Sequence, residues 1–158
     1  MDLFSVANNK CGIRGDTRNN WVRFMLVSKC RYEVFGKQKT INACTADFRE
    51  LEPFGFRFGV IGFAGCHVHL SVDIPKRDSA EDAETMLKSH SSQRIFTEIP
   101  NFRKRYPRGS FWSVYEHHES AGIARRDAEQ YIRDQPAHHG IDMAGIQKAV
   151  FEFAAAAE

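Results

Sequence analysis

An α+β fold is what this sequence predicts, on three observations. Apolar runs of strand character, at Trp21–Val27, Phe56–Phe63 and His67–Ile74, stand apart from stretches whose apolar residues recur at helical spacing. Proline and glycine punctuate the joints, at Pro53, Gly55, Pro75, Pro100 and Pro136. The run from His67 alternates with period two, so one of its faces is apolar and the other polar.

Taken in order, Trp21 to Val27 is a first strand, rich in Trp, Val, Phe and Leu. A helix over Thr40 to Leu51 follows from the spacing of Ile41, Cys44, Phe48 and Leu51, and Pro53 and Gly55 end it. Phe56 to Phe63 is a second strand, interrupted by Gly59 and Gly62, and Ala64-Gly65 turns the chain into the His67 strand as a hairpin. Ser79 is the N-cap of a long helix reaching Ile99, with Glu81 and Asp82 in its first turn. Ala83, Met86, Leu87, His90 and Ile95 form the inner face of that helix, and Pro100 stops it. A basic loop, Asn101 to Gly109, leads to a fourth strand at Phe111–His117. A helix then runs from Gly122 to Gln135 and ends at Pro136. Ile146, Ala149, Val150 and Phe153 have the spacing of a last helix in the tail.

The resulting order, β-α-β-β-α-β plus a further helix, is the split βαβ or ferredoxin-like arrangement: a four-stranded antiparallel sheet with two helices on one face. The His67 strand is then central, and its polar face lies away from the two core helices. One domain spans residues 1–158, with a core over about 20–136 and a C-terminal tail over 137–158.

Composition excludes several classes. Hydrophobic and charged fractions of 42% and 27% are those of a globular protein, and no apolar run approaches a membrane span. Met1 to Lys10 lacks the pattern of a secretory signal, and the cysteines (Cys11, Cys30, Cys44, Cys66) form no C-x-x-C pair, so a reducing, cytoplasmic setting is expected. Cys66 beside the histidines is either an extra ligand or a small buried hydrophobe. Net charge is only +2, yet charge is segregated. Lys88, Arg94, Arg103, Lys104, Arg105 and Arg108 meet one acid, Glu98, and a second basic cluster comprises Lys29, Arg31, Lys37 and Lys39. Such stretches fit phosphate contact and also fit solvated loops.

His67, His69, Ser71 and Asp73 share the polar face of the third strand. Histidines at i and i+2 have Cα atoms roughly 6–7 Å apart and parallel side chains, so both imidazoles can reach one metal ion; the same pattern also occurs on a plain solvated face. In the last core helix Asp127, Tyr131 and Gln135 share a stripe. A tyrosine phenol can attack a phosphodiester when a metal polarises the phosphate, and the Gln135 carboxamide oxygen can be a third ligand. Two nitrogens and one oxygen, with positions open to phosphate and water, suit Mg²⁺ or Mn²⁺. By itself a tyrosine so placed is more often a half-buried aromatic, packing near Ile132.

These pieces together resemble the single-tyrosine HUH transposases of the small insertion sequences that move as single-stranded DNA. The triplet His67-Val68-His69 resembles the HUH motif, and Trp21 to Arg31 resembles the family's opening strand and its threonine-lysine-tyrosine-arginine end. Leu87-Lys88-Ser89-His90-Ser91-Ser92-Gln93-Arg94, Phe111-Trp112-Ser113 and Tyr131-Ile132-Arg133-Asp134-Gln135 resemble three further family motifs, in family order. The chain departs from the pattern at Cys66, where an acid or amide is usual, at Arg23, where a histidine is usual, and at Cys30, where a tyrosine is usual.

The resemblance implies that Tyr131 is the nucleophile, forming a 5′-phosphotyrosine bond and freeing a 3′-hydroxyl. It implies that His67, His69 and Gln135 hold the divalent ion. The expected substrate is single-stranded DNA with hairpin ends, cut and rejoined by a homodimer without a nucleotide cofactor or a membrane. Charge and position make Lys29, Arg31, Lys88, Arg94, Arg103, Lys104, Arg105 and Arg108 the expected DNA contacts. Two other functions fit the same chain: a domesticated HUH nuclease acting on chromosomal hairpin repeats, and a non-catalytic ferredoxin-like nucleic-acid-binding module. The latter usually displays exposed aromatics on the open sheet face, where this chain has histidines.

Overall fold

A computed structural model describes residues 20–115, 117–120, 125–138 and 146–153, with residues 135–138 described by their backbone alone. The strands are β1 (Trp21–Val27), β2 (Arg57–Ala64), β3 (His67–Asp73), β4 (His118–Ser120) and β5 (Val150–Glu152). The helices are α1 (Gln38–Arg49), α2 (Ala80–Glu98), the short α3 (Phe102–Arg105) and α4 (Arg125–His138). One antiparallel sheet has the order β4-β1-β3-β2-β5, so β3 is central, as the split βαβ arrangement requires.

The core lies between the sheet and the helices α1 and α2. Phe24 and Leu26 of β1, Phe58, Ile61 and Phe63 of β2, and Val68, Leu70 and Val72 of β3 point to that side and are buried. Ile41, Cys44 and Phe48 of α1 and Ala83, Leu87 and Ile95 of α2 meet them. Burial pushes the Cys44 thiol well above its usual range, which suits a small apolar filler. Ser79 caps α2 by accepting a hydrogen bond from the Asp82 N–H at 3.1 Å, a contact worth about 1 kcal/mol. None of the described helices is long and apolar enough to cross a membrane.

Three elements differ from the sequence expectation. The fourth strand is not Phe111–His117 but His118–Ser120, preceded by a single bridge between Ser28 and Trp112. Consecutive Phe111 and Trp112 are both buried, which an alternating strand does not allow. Two helix serines hold them instead: Ser92 Oγ accepts from the Phe111 N–H at 2.9 Å, and Ser91 Oγ accepts from Trp112 Nε1 at 2.8 Å. Val114 and Tyr115 then face solvent before the chain re-enters the sheet.

The second difference is in the tail, where Val150–Glu152 forms β5 rather than a helix. It pairs with Val60, Ile61 and Gly62 and covers the outer edge of β2, and Phe151 packs on Phe63 at 6.1 Å between ring centroids. β-branched and aromatic residues beside an unpaired edge favour the strand.

The third difference is that α4 continues two residues past Pro136. Proline cannot donate to the carbonyl four residues back, that of Ile132. That carbonyl lies against Gly62, where a Cβ would sit 2.7 Å from its oxygen.

Candidate active site

The strand register places the site. β3 turns His67, His69, Ser71 and Asp73 away from the core, and the antiparallel pairing sets Val27, Met25, Arg23 and Trp21 of β1 beside them in that order. The His67 and His69 rings have centroids 5.4 Å apart and are nearly perpendicular, at 82°. His69 is buried and His67 half-buried. Cys66 Sγ lies 3.6 Å from His67 Nδ1, so the cysteine touches the site's edge.

Helix α4 lies across this same face, over β2 and β3 of its own sheet. Two glycines in β2 let it approach. A Cβ at Gly59 would meet Glu129 Oε1 at 2.6 Å, and one at Gly62 would meet Ile132 Cγ2 at 2.7 Å. A bulge in β2, between Phe58 and Ile61, sets Gly59 beside Ser71. Glu129 is buried and accepts hydrogen bonds from Ser71 Oγ at 3.0 Å and from Arg125 Nε at 2.8 Å. The Arg125 guanidinium lies 3.5 Å from the Trp21 ring centroid. Asp127, on the stripe of Tyr131 in the sequence, is exposed; Glu129 is the carboxylate that docks the helix.

This docking brings Tyr131 against His69. Its ring centroid is 5.5 Å from that of His69, and the Arg23 guanidinium carbon is 5.3 Å from the tyrosine ring. The tyrosine remains 38% exposed, open to a macromolecular substrate. A cavity of about 310 Å³ opens beside it, lined by Arg23, Met25, His69, His117, His118 and Glu119. Gln135 follows Tyr131 by one helical turn in α4, and its side chain lies outside the described residues.

Most of the expected DNA contacts converge. A tight turn after β1 carries Lys29 and Arg31, with Cys30 and Arg31 in the left-handed region at φ 62° and 53°. Tyr106, after α3, donates its hydroxyl to the Lys29 carbonyl at 2.9 Å, and burial pushes that phenol up to about 12, keeping it protonated. Arg105 lies over the Tyr32 ring at 4.7 Å, and Arg103 donates to the Gly109 carbonyl at 3.0 Å. Lys29, Arg31, Arg103, Lys104, Arg105 and Arg108 are exposed in these two joined segments. Lys37, Lys39 and Arg105 also line a neighbouring cavity of about 490 Å³. The Ser28 N–H bonds to the Cys66 carbonyl at 2.8 Å, so the basic surface begins where the histidine strand begins.

Lys88 and Arg94 lie elsewhere, on α2. Lys88 Nζ is 3.2 Å from buried Glu84 and donates to the Tyr115 carbonyl at 2.8 Å. Glu84 also accepts from the His117 N–H and bonds His118 Nδ1 at 2.9 Å, so this group holds the approach to β4. Arg94 pairs with Glu50 at 2.8 Å and Glu98 at 3.4 Å. The residues missed by sequence reading are Arg23, Ser71, Arg125 and Glu129. The i,i+4 pair Arg125–Glu129 and the two strand glycines were the available signals.

The donor set fits a divalent ion. Two imidazoles sharing an ion through bonds of roughly 2 Å bring their rings about this close. Among the described residues no group of three or more His, Cys, Asp and Glu could hold a metal. His67 and His69 are the two expected ligands that the described side chains bring together.

Comparison with known proteins agrees with this arrangement. The sequence profile of the family described as "Transposase IS200 like" matches residues 16–135. The fold resembles the crystal structure of a candidate transposase from Deinococcus radiodurans R1, with a TM-score of 0.61 at 18% identity, covering 75% of this chain and 92% of that one. It also resembles a REP-associated tyrosine transposase bound to a REP hairpin, with a TM-score of 0.50 at 14% identity over 78% of this chain and 70% of that one. No curated protein matches the sequence. With three quarters of its length matched by one profile, this chain belongs to the IS200-like transposase family.

Proposed function

We propose that this protein cuts and rejoins single-stranded DNA through a 5′-phosphotyrosine intermediate on Tyr131, with a divalent ion, Mg²⁺ or Mn²⁺, held by His67, His69 and Gln135. The observation that carries the reading is the approach of Tyr131 to His69 within one chain, at 5.5 Å between rings. A bound ion would supply neutralisation of charge on the scissile phosphate. The Tyr131 oxygen attacks phosphorus, the bond from phosphorus to the 3′-oxygen breaks, and that oxygen leaves with a proton as a 3′-hydroxyl. The phenol proton passes to solvent. Because the phosphotyrosine retains the energy of the broken bond, rejoining requires no nucleotide cofactor.

The basic surface formed by Lys29, Arg31, Arg103, Lys104, Arg105 and Arg108 suits the phosphates of a hairpin, whose single-stranded tail would reach His67 past Cys66. A homodimer would bring two such sites to two DNA ends, and the in-chain contact of Tyr131 with His69 supports each site being built from one subunit. The fold likeness to a transposase bound to a REP hairpin favours a second reading: a domesticated nuclease acting on chromosomal hairpin repeats with the same chemistry.

The test is incubation of labelled single-stranded hairpin DNA with Mg²⁺ or Mn²⁺. A covalent protein–DNA adduct is expected, abolished in Tyr131→Phe and prevented by chelator. Adduct formation at an unchanged rate in Tyr131→Phe would remove the nucleophile assignment.

A further inference from the structure

Arg23 occupies a particular place on the open face. It pairs with Ser71 on β3 and stands two register positions from the Met25–His69 pair, on the same face. Its guanidinium lies 5.3 Å from the Tyr131 ring and lines the cavity of about 310 Å³ that also contains His69 and His117. That volume is at the lower end of the range for ligand pockets. On its other side Arg23 pairs in register with Glu119 of β4 and forms an ion pair with its carboxylate.

The two partners of this guanidinium differ in kind. Glu119 is 60% exposed and belongs to a three-residue edge strand. An exposed carboxylate holds an arginine only weakly, because water screens the pair. A phosphodiester entering the cavity lined by His69 and Arg23 would meet a planar donor fork suited to bidentate contact with its oxygens. Charge developing on the phosphate oxygens would be met by the Arg23 guanidinium.

From this geometry we infer that Arg23 is a catalytic residue that binds the scissile phosphate, and that Glu119 occupies its guanidinium when DNA is absent. The inference rests on the phosphotyrosine reading above. Arg23 moves no proton; it orients the phosphate toward the Tyr131 oxygen and takes up charge as the bond from phosphorus to the 3′-oxygen breaks. DNA entry exchanges one anion for another, so Glu119 acts as a competitor with the substrate.

The experiment uses the full chain, Mn²⁺ and a fluorescent hairpin oligonucleotide whose single-stranded tail comes from DNA flanking the gene. Once wild type has mapped the cut, a second oligonucleotide carries an uncharged methylphosphonate there. Adduct formation is followed under single-turnover conditions. Arg23→Gln is expected to slow the phosphodiester adduct by roughly 10–100-fold, the loss of a charge-assisted contact. The same variant should slow the methylphosphonate adduct far less, since the charge it would bind is gone. Arg23→Lys should recover part of the phosphodiester rate, and Glu119→Gln should raise it several-fold at subsaturating DNA.

Equal slowing of both oligonucleotides by Arg23→Gln, a lysine variant as slow as the glutamine one, or an unchanged rate in Glu119→Gln would each overturn the inference while leaving the Tyr131 reading standing. Absence of any wild-type adduct on the phosphodiester would overturn both.

Discussion

Glu129 of α4 accepts a hydrogen bond from Ser71 of β3 at 3.0 Å, across 58 residues of sequence, and both side chains are buried. This contact anchors the tyrosine helix to the histidine strand. Arg125 and Arg133 of the same helix flank the carboxylate, Arg125 at 2.8 Å and Arg133 at 3.8 Å.

Removing that anchor should loosen the helix before it unfolds the sheet. Glu129→Ala leaves two arginines and a serine around a vacated position, at a cost of about 1–3 kcal/mol. Equilibrium denaturation should show that loss, and adduct formation should fall further than stability because Tyr131 is no longer held over His69. Full activity with lowered stability would mean that the helix positions itself without Glu129.

Gly62→Ala tests the close approach of α4 more sharply. The new Cβ would lie 2.7 Å from the Ile132 carbonyl oxygen, a backbone atom that cannot rotate away. The helix must shift by a few tenths of an ångström or more, and Tyr131 is adjacent to Ile132. Adduct formation should drop by at least tenfold, since small misplacement of reacting groups is costly. Binding of hairpin DNA, measured by fluorescence anisotropy, should stay near wild type.

The basic surface predicts a salt dependence. Arg31→Ala, Lys104→Ala and Arg105→Ala should each weaken hairpin binding across sequences and reduce the magnitude of the log–log salt slope by roughly one. Arg94→Ala should leave the slope unchanged, because Arg94 is engaged with Glu50 and Glu98 on α2. A slope that falls equally in Arg94→Ala would place DNA on the helical layer instead.

Stability should depend on pH through Asp47. Burial first, and then the charge of Glu98, push its carboxyl up to about 8, and Arg94 Nε at 3.7 Å is beyond hydrogen-bond reach. The folded pKa is above the unfolded value of about 3.9, so the folded state binds the extra proton between them. The contribution is complete below about pH 4 and is lost as pH rises through about 8. Thermal unfolding should therefore show a melting temperature that falls between pH 5 and 9 in wild type and falls less in Asp47→Asn. Parallel pH profiles for the two proteins would exclude Asp47 as the source.

Much of this arrangement is legible in the sequence. Alternation from His67 set two imidazoles on one face of a central strand, the Ser79 cap marked the start of α2, and the spacing in α1 named the residues it buries. The order of motifs carried the family resemblance. Local signals misled where tertiary contacts outweighed them: Phe111 and Trp112 gave up strand alternation to enter the core under Ser91 and Ser92, and Val150–Glu152 became a strand because β2 offered an edge.

By itself, the sequence determined which side chains share a face, because backbone geometry repeats every two residues in a strand and every 3.6 in a helix. Only the tertiary structure decided which faces meet. Periodicity records that a stripe is buried and is silent about its partner. The placement of Tyr131 over His69 depends on Gly59, Gly62, Ser71 and Glu129 fitting together. The merging of Lys29 and Arg31 with Arg103 to Arg108 depends on Tyr106 reaching the Lys29 carbonyl. Those contacts join residues distant in the chain, and they exist only in the folded tertiary structure.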